Sequence, residues 1–155
     1  MERPEINWDR TESFTAGTVG PQGRRIFFLQ ASCEDQVLSL KVEKQQMAGL
    51  ADFLMSMLND LPPKDASDLL DNTVQETKFI DPGEPDWVIG SLGITYEQSG
   101  DQLILIAEEL IRDEDSEPAQ ARLALSRLQV EHFIPNFIMS AGEESLNLAF
   151  ASSES

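Results

Sequence analysis

Nucleophilic or general-base chemistry in this chain would have to pass through His132 or Cys33, since each is the only residue of its type. His132 stands between Glu131 and Phe133, beside the apolar series Val130, Phe133, Ile134, Phe137 and Ile138. That series has helical spacing and leaves His132 on the flank of the helix, so it reads as a solvated or boundary histidine, not a base. Cys33 is followed by Glu34 and Asp35, whose negative charge disfavours the thiolate. One cysteine and one histidine supply neither an intramolecular disulfide nor a Cys/His metal cluster, and a reducing, cytoplasmic setting is expected. No G-x-S-x-G elbow, Walker A loop or G-x-G-x-x-G fingerprint occurs. Gly90-Ser-Leu-Gly93 has the look of a phosphate loop, but it opens into a strand and so lacks the helix N-terminus that would hold an anion. No catalytic residue, cofactor or metal is assigned.

Carboxylates are the abundant functional group. Glu108, Glu109, Asp113, Glu114, Asp115 and Glu117 crowd one stretch, without the glycine and ligand spacing of an EF-hand loop. These six are the candidate partner-binding residues. The chain carries 28 acidic and 11 basic side chains, a net charge of −17. The excess is uneven: residues 1–61 hold nine acids and six bases, residues 62–155 hold nineteen and five. Such a field repels phosphate backbones, so direct nucleic-acid binding is not expected, and Arg24-Arg25 is too small a patch to reverse it. The first residues show no basic patch leading into an apolar run, and nowhere do eighteen apolar residues stand together. Neither export by a signal peptide nor a membrane partner is expected.

The elements that would position these groups fall into two similar units. Phe14-Thr-Ala-Gly-Thr-Val-Gly20 reappears as Trp87-Val-Ile-Gly-Ser-Leu-Gly93, with an aromatic, a glycine, a hydroxyl, an aliphatic and a second glycine at the same spacing. Each copy leads into an apolar strand, then a strand of two-residue period, then an amphipathic helix. In unit one, 11–61, Ile26-Phe-Phe-Leu29 follows the turn Gly20-Pro-Gln-Gly23, and Leu38, Leu40 and Val42 alternate with polar residues. Met47, Leu50, Ala51, Leu54, Met57, Leu58 and Leu61 then form a helical stripe stopped at Pro62-Pro63. In unit two, 87–142, the matching parts are Leu103-Ile-Leu-Ile106, Leu123 and Leu125, and a helix capped by Ser126. An acidic connection, 62–86, with a short helix at Asp65 to Leu70, joins the units, and a tail, 143–155, follows. The expected fold is α+β in one domain: two β-β-β-α units related by a pseudo-twofold axis, an antiparallel sheet and covering helices. The two glycines Gly17 and Gly90 should occupy equivalent strands, and the last helix should kink or break near Pro135.

The run from Phe14 to Gln30, with Leu40-Lys-Val-Glu-Lys-Gln-Gln46, resembles a bacterial family called domain of unknown function 3090. The likeness continues through Trp87 to Gly93 and ends at Ala141-Gly142. Family members continue with a Cys-Pro-x-Cys-Gly stretch similar to a zinc knuckle. Here the corresponding residues, Glu143 to Phe150, contain no thiolate or imidazole, so a metal role does not carry over. The functional expectation is a non-enzymatic accessory or regulatory protein that binds another protein. The alternatives are a carboxylate-based enzyme of a small polar metabolite and an acidic mimic of nucleic acid; self-association remains open.

Overall fold

The computed structural model describes residues 5–21, 23–62, 79–111 and 115–141. The short helix expected at 65–70, most of the acidic connection and the tail lie outside the described residues. Seven strands form one mixed sheet in the order β1-β7-β6-β5-β4-β3-β2. Unit one contributes β2 (Ser13–Val19), β3 (Ile26–Cys33) and β4 (Gln36–Val42), followed by α1 (Lys44–Asp60). Unit two contributes β5 (Trp87–Glu97), β6 (Gln102–Glu109) and β7 (Gln120–Leu125), followed by α2 (Arg127–Ala141). The α+β reading therefore holds, as does the start of the second helix just after Ser126.

An antiparallel sheet was expected, but two of the six pairings are parallel. The three strands of each unit form antiparallel meanders, whereas β4 and β5 pair in parallel, Leu40 with Trp87 and Lys41 with Val88. The cause is connectivity: α1 and the segment after it form a crossover between β4 and β5, and crossovers deliver parallel neighbours where hairpins deliver antiparallel ones. The second exception is β1 (Ile6–Trp8), which pairs in parallel with β7. Three residues carry no readable alternation, so nothing in the sequence announced it.

β1 also shows that the sheet is rolled. It lies at one edge and β2 at the other, yet only residues 9–12 separate them. Five residue steps reach at most about 18 Å, while six strand spacings across a flat sheet would need about 29 Å. The two edges must therefore curl toward each other. The short bridge is tied down at Gln102, whose Nε2 donates to the Asp9 carbonyl at 3.2 Å. Glu12 N–H donates to the Ser32 carbonyl at 2.9 Å, extending the β2–β3 ladder.

Inside the roll lies one hydrophobic cluster drawn from both units, with alternate residues of the strands pointing in: Leu29 and Ala31, Leu38 and Leu40, Leu103 and Leu105, Leu123 and Leu125. The helices close it with the stripes read from sequence. Met47, Leu50, Ala51 and Leu54 of α1 are buried, as are Val130, Phe133, Ile134 and Phe137 of α2. Both helices start with a glutamine at the third helical position that folds back on the chain. Gln46 Oε1 accepts from Glu43 N–H at 3.0 Å, and Gln129 Oε1 accepts from Ser126 N–H at 2.9 Å while Ser126 Oγ caps Gln129 N–H at 3.1 Å. Of the kink or break expected near Pro135, the break does not occur: α2 is helical from Arg127 to Ala141. Phe133, Ile134 and Phe137 are buried on both sides of the proline, and their packing offsets the bond lost at the Glu131 carbonyl.

On the outer face of unit one the end of the connection is clamped to the sheet. Buried Gln30 donates from Nε2 to the Ile80 carbonyl (2.9 Å) and Ser39 Oγ (3.0 Å), and its Oε1 accepts from Ile80 N–H (3.0 Å). Phe79 stacks on Phe28 at 5.9 Å between ring centroids. Its ring fills the space beside Gly17, where an added Cβ would sit 2.0 Å from a ring carbon. Asp86 then exchanges bonds with the Ser39 backbone and hands the chain to Trp87.

Candidate functional site

Gly17 and Gly90 occupy the first strand of their units, as expected, but different neighbours demand the missing side chain. At Gly90 a Cβ would meet backbone, 2.8 Å from the Leu110 Cα and 3.1 Å from the Glu109 carbonyl oxygen. The register of β5 on β6 slips here: Ile89 faces Glu109 and Ser91 faces Glu108, leaving Gly90 as the extra residue of a bulge. Leu110 N–H reaches across to the Val88 carbonyl at 2.7 Å. The chain leaving β6 is thus pressed onto the bulge of β5, and that contact sets where the acidic stretch departs from the sheet.

Of the six candidate carboxylates, Glu108 is exposed at the end of β6, opposite both Ser91 and Gln120. Glu109 is half-buried and its carboxylate accepts from Ala119 N–H at 3.1 Å, so it fastens the two ends of the loop together. Asp115 and Glu117 are exposed, and Asp113 and Glu114 lie outside the described residues. Among these acids the structure places two apolar side chains in solvent: Leu110 is 49% exposed and Ile111 40%. Neither was singled out from sequence. The signal was there as two apolar residues continuing past the last alternating position of β6 into a charged loop.

A second feature lies on the other side of the bulge. Between α1 and β5 runs a cleft of about 540 Å³, lined by Gln46, Gly49 and Phe53 from the helix and Ser91, Gly93 and Ile94 from the strand. Gln46 Nε2 donates to the Gly90 carbonyl at 3.3 Å and closes one end. Phe53 is 54% exposed and lies off the buried stripe of α1, and a large aromatic out of phase with its helix is the clue sequence reasoning passed over. Gly90-Ser-Leu-Gly93 is here strand throughout, so the anion-binding helix start is indeed missing. A third hollow, about 560 Å³, opens beside Trp8, Trp87, Val37 and Asp86. Its carboxylate is engaged by Ser39 N–H at 2.8 Å.

His132 is exposed on α2, on the flank where the apolar stripe put it. Cys33 Sγ lies 3.1 Å from the Arg10 carbonyl. Desolvation, with Glu34 and Glu12, pushes its thiol up despite Arg10, the opposite of activation. Asp101 accepts from the Tyr96 hydroxyl at 2.6 Å and from Arg127 Nε at 2.8 Å, locking the β5–β6 hairpin to the first residue of α2. Among the described residues no three His, Cys, Asp or Glu side chains converge as a metal site, and no helix is long and apolar enough to cross a membrane.

The described residues define an α+β protein with a rolled mixed sheet, two helices closing one core, and an open groove between α1 and β5. The chain belongs to the family described as Protein of unknown function (DUF3090), whose model matches residues 6–142. The match stops where the cysteine-free tail begins. No curated protein and no solved structure matches it.

Proposed function

We propose that the protein is a non-enzymatic accessory protein that binds another protein through the loop leaving β6. The observation that carries this reading is the pair Leu110 and Ile111, held in solvent by the Gly90 contact and flanked by Glu108, Asp115 and Glu117. Apolar side chains at the centre of such a patch supply affinity on desolvation, while a rim of like charge steers a basic partner and rejects others. The six carboxylates are then selectivity elements, and the cytoplasm is where the protein works. The same reading takes the two units as copies about a pseudo-twofold axis along the roll, within a single domain. Two facts support the axis. Equivalent strands run in the same direction three places apart in the sheet, and each helix's folded-back glutamine reaches the other unit, Gln46 to Gly90 and Gln129 to Thr11.

The test is affinity purification from the native cell at low and high ionic strength, followed by measurement of the recovered partner on purified variants. Glu108→Gln with Asp115→Asn and Glu117→Gln should slow association and flatten its salt dependence. Leu110→Ser with Ile111→Ser should cost most of the affinity. A partner that binds the serine variant as tightly as the parent removes this loop from the interface.

A further inference from the structure

The unusual feature of β5 is how little of it has a neighbour on the α1 side. Among the described residues it pairs with β4 at Trp87 and Val88 alone, because β4 ends at Val42 and the chain turns into α1. From Ser91 to Glu97 its strand partner is β6. Alternate backbone N–H and C=O groups along that length therefore point away from β6 toward α1, and Gln46 satisfies the first of them at Gly90. Natural proteins blunt such edges with charge, proline or a covering element. Here Ser91 to Tyr96 contains neither charge nor proline. The flanking helix stands off by a cleft whose volume falls in the range of about 300–1,000 Å³ usual for ligand sites. One wall is thus backbone without a strand partner among the described residues and the other is apolar, Leu50 and the 54%-exposed Phe53, with Gly49 and Gly93 keeping both walls low.

We infer that this cleft takes an extended segment of a partner protein, added to β5 as a further strand, with alternate apolar side chains against Phe53 and basic residues flanking them. Main-chain pairing gives such a complex its affinity, and the pocket for alternate side chains gives it selectivity. The basic flank follows from charge. Asp52 next to Phe53 and Glu108 across from Ser91 are exposed acids in a chain of net charge −17, and Glu97 at the far end of β5 is exposed as well, 4.0 Å from Arg122. Lys41 and Lys44 stand only at the closed end, by Val88 and the start of α1. The inference rests on the reading of the protein as a protein-binding module, and it places the segment just across the Gly90 bulge from Leu110, so one partner can engage both features.

The experiment is selection from a library of random seven-residue peptides on the intact protein, then hydrogen exchange with the selected peptide. Selected sequences should alternate apolar residues and carry Lys or Arg at a flank. The peptide should slow exchange of alternate amides between Ser91 and Glu97, and N-methylation of its alternate amides should weaken binding about tenfold or more, the loss of roughly 1.4 kcal/mol. Phe53→Ser, at an exposed helical position, should leave the fold intact and reduce affinity by a similar factor. No enrichment over scrambled sequences overturns the proposal. So does protection elsewhere, or protection before peptide is added of those Ser91–Glu97 amides that point away from β6, in a monomer by the protein's own chain or in a dimer by a second copy. The two readings fail separately. Peptides seated on β5 with a native partner indifferent to Leu110→Ser sustain this inference and remove the loop; a native partner lost with Leu110→Ser and no peptide selected does the reverse.

Discussion

Replacing Gln30 with leucine should loosen the clamp that delivers the connection to β5, and the structure gives the size of the effect. Gln30 is buried at the centre of unit one's outer face and makes three hydrogen bonds. Leucine has similar bulk and makes none. Ser39 Oγ, in a residue only 4% exposed, would lose its amide donor, a loss of about 1–3 kcal/mol for a buried group left unpaired. The two bonds to Ile80 count for less, about 0.5–1.5 kcal/mol each, since Ile80 is 66% exposed and water can replace them. Burying the leucine side chain returns about 1.5–3 kcal/mol. The balance is a destabilisation of about 2 kcal/mol, or roughly 1 M in urea midpoint at a slope of about 2 kcal/mol/M. Urea unfolding followed by tryptophan fluorescence reads the midpoint, and hydrogen exchange at Ile80 reads the clamp. Adding Ser39→Ala to Gln30→Leu should recover part of the loss, because removing both members of a buried pair is nearly neutral where removing one is not. A Gln30→Leu protein within about 0.5 kcal/mol of the parent, the scatter of inert surface changes, would refute the clamp, as would unchanged exchange at Ile80.

Tyr96 is the single tyrosine, so tyrosinate absorbance titrates one group. Its hydroxyl donates to Asp101, which holds the proton and raises the pKa, with desolvation adding to it and Arg127 opposing. A raised folded pKa means that the contribution to stability is complete below the unfolded value near 10 and is lost as pH rises through the folded one. Asp101→Asn should move the titration down, and Tyr96→Phe should abolish this part of the alkaline loss; a parent titrating no higher than a free tyrosine contradicts the bond. Pro135→Ala restores an N–H to bond the Glu131 carbonyl at an exposed position of a continuous helix, and should stabilise the protein by up to about 3 kcal/mol. A lower unfolding midpoint would instead show that the proline sets how Phe137 docks.

The elements were legible because the two periods are clean. Two-residue alternation marked β4 and β7, and the i, i+3, i+4 stripes marked both helices from Met47 and Val130 onward, with Ser126 readable as the cap of the second. What stayed illegible depends on contacts far apart in the chain. The parallel seam between β4 and β5 follows from a crossover whose path no local pattern encodes. Gly17 reads as a generic strand glycine until Phe79, more than sixty residues later, is found lying on it. Gln30 reads as the polar half of an alternation, and its burial exists only because Ile80 supplies both a donor and an acceptor. The candidate site suffered most: Leu110, Ile111 and Phe53 matter for not being covered, and exposure is a property of the assembled fold.

The difference between the units explains why a groove opens beside α1. Aligned on their caps, Glu43 with Ser126, the helices place Leu50 where α2 has Phe133 and Phe53 where α2 has Asn136. In unit two, Phe133 stacks on Phe14 at 4.5 Å between ring centroids and Gln129 bonds the Thr11 carbonyl, so α2 is drawn against β2 and covers it. In unit one, Gln46 makes the corresponding reach to Gly90, but the next turn offers leucine in place of phenylalanine, with no ring to meet one on β5. The aromatic has moved three positions along and about a sixth of a turn around, onto the solvent side of the same cleft. The two units thus share folded-back glutamines at the helix starts and buried stripes, and differ in one aromatic position. That difference leaves the helix–strand contact beside α1 open, lined by backbone that has no strand to pair with among the described residues.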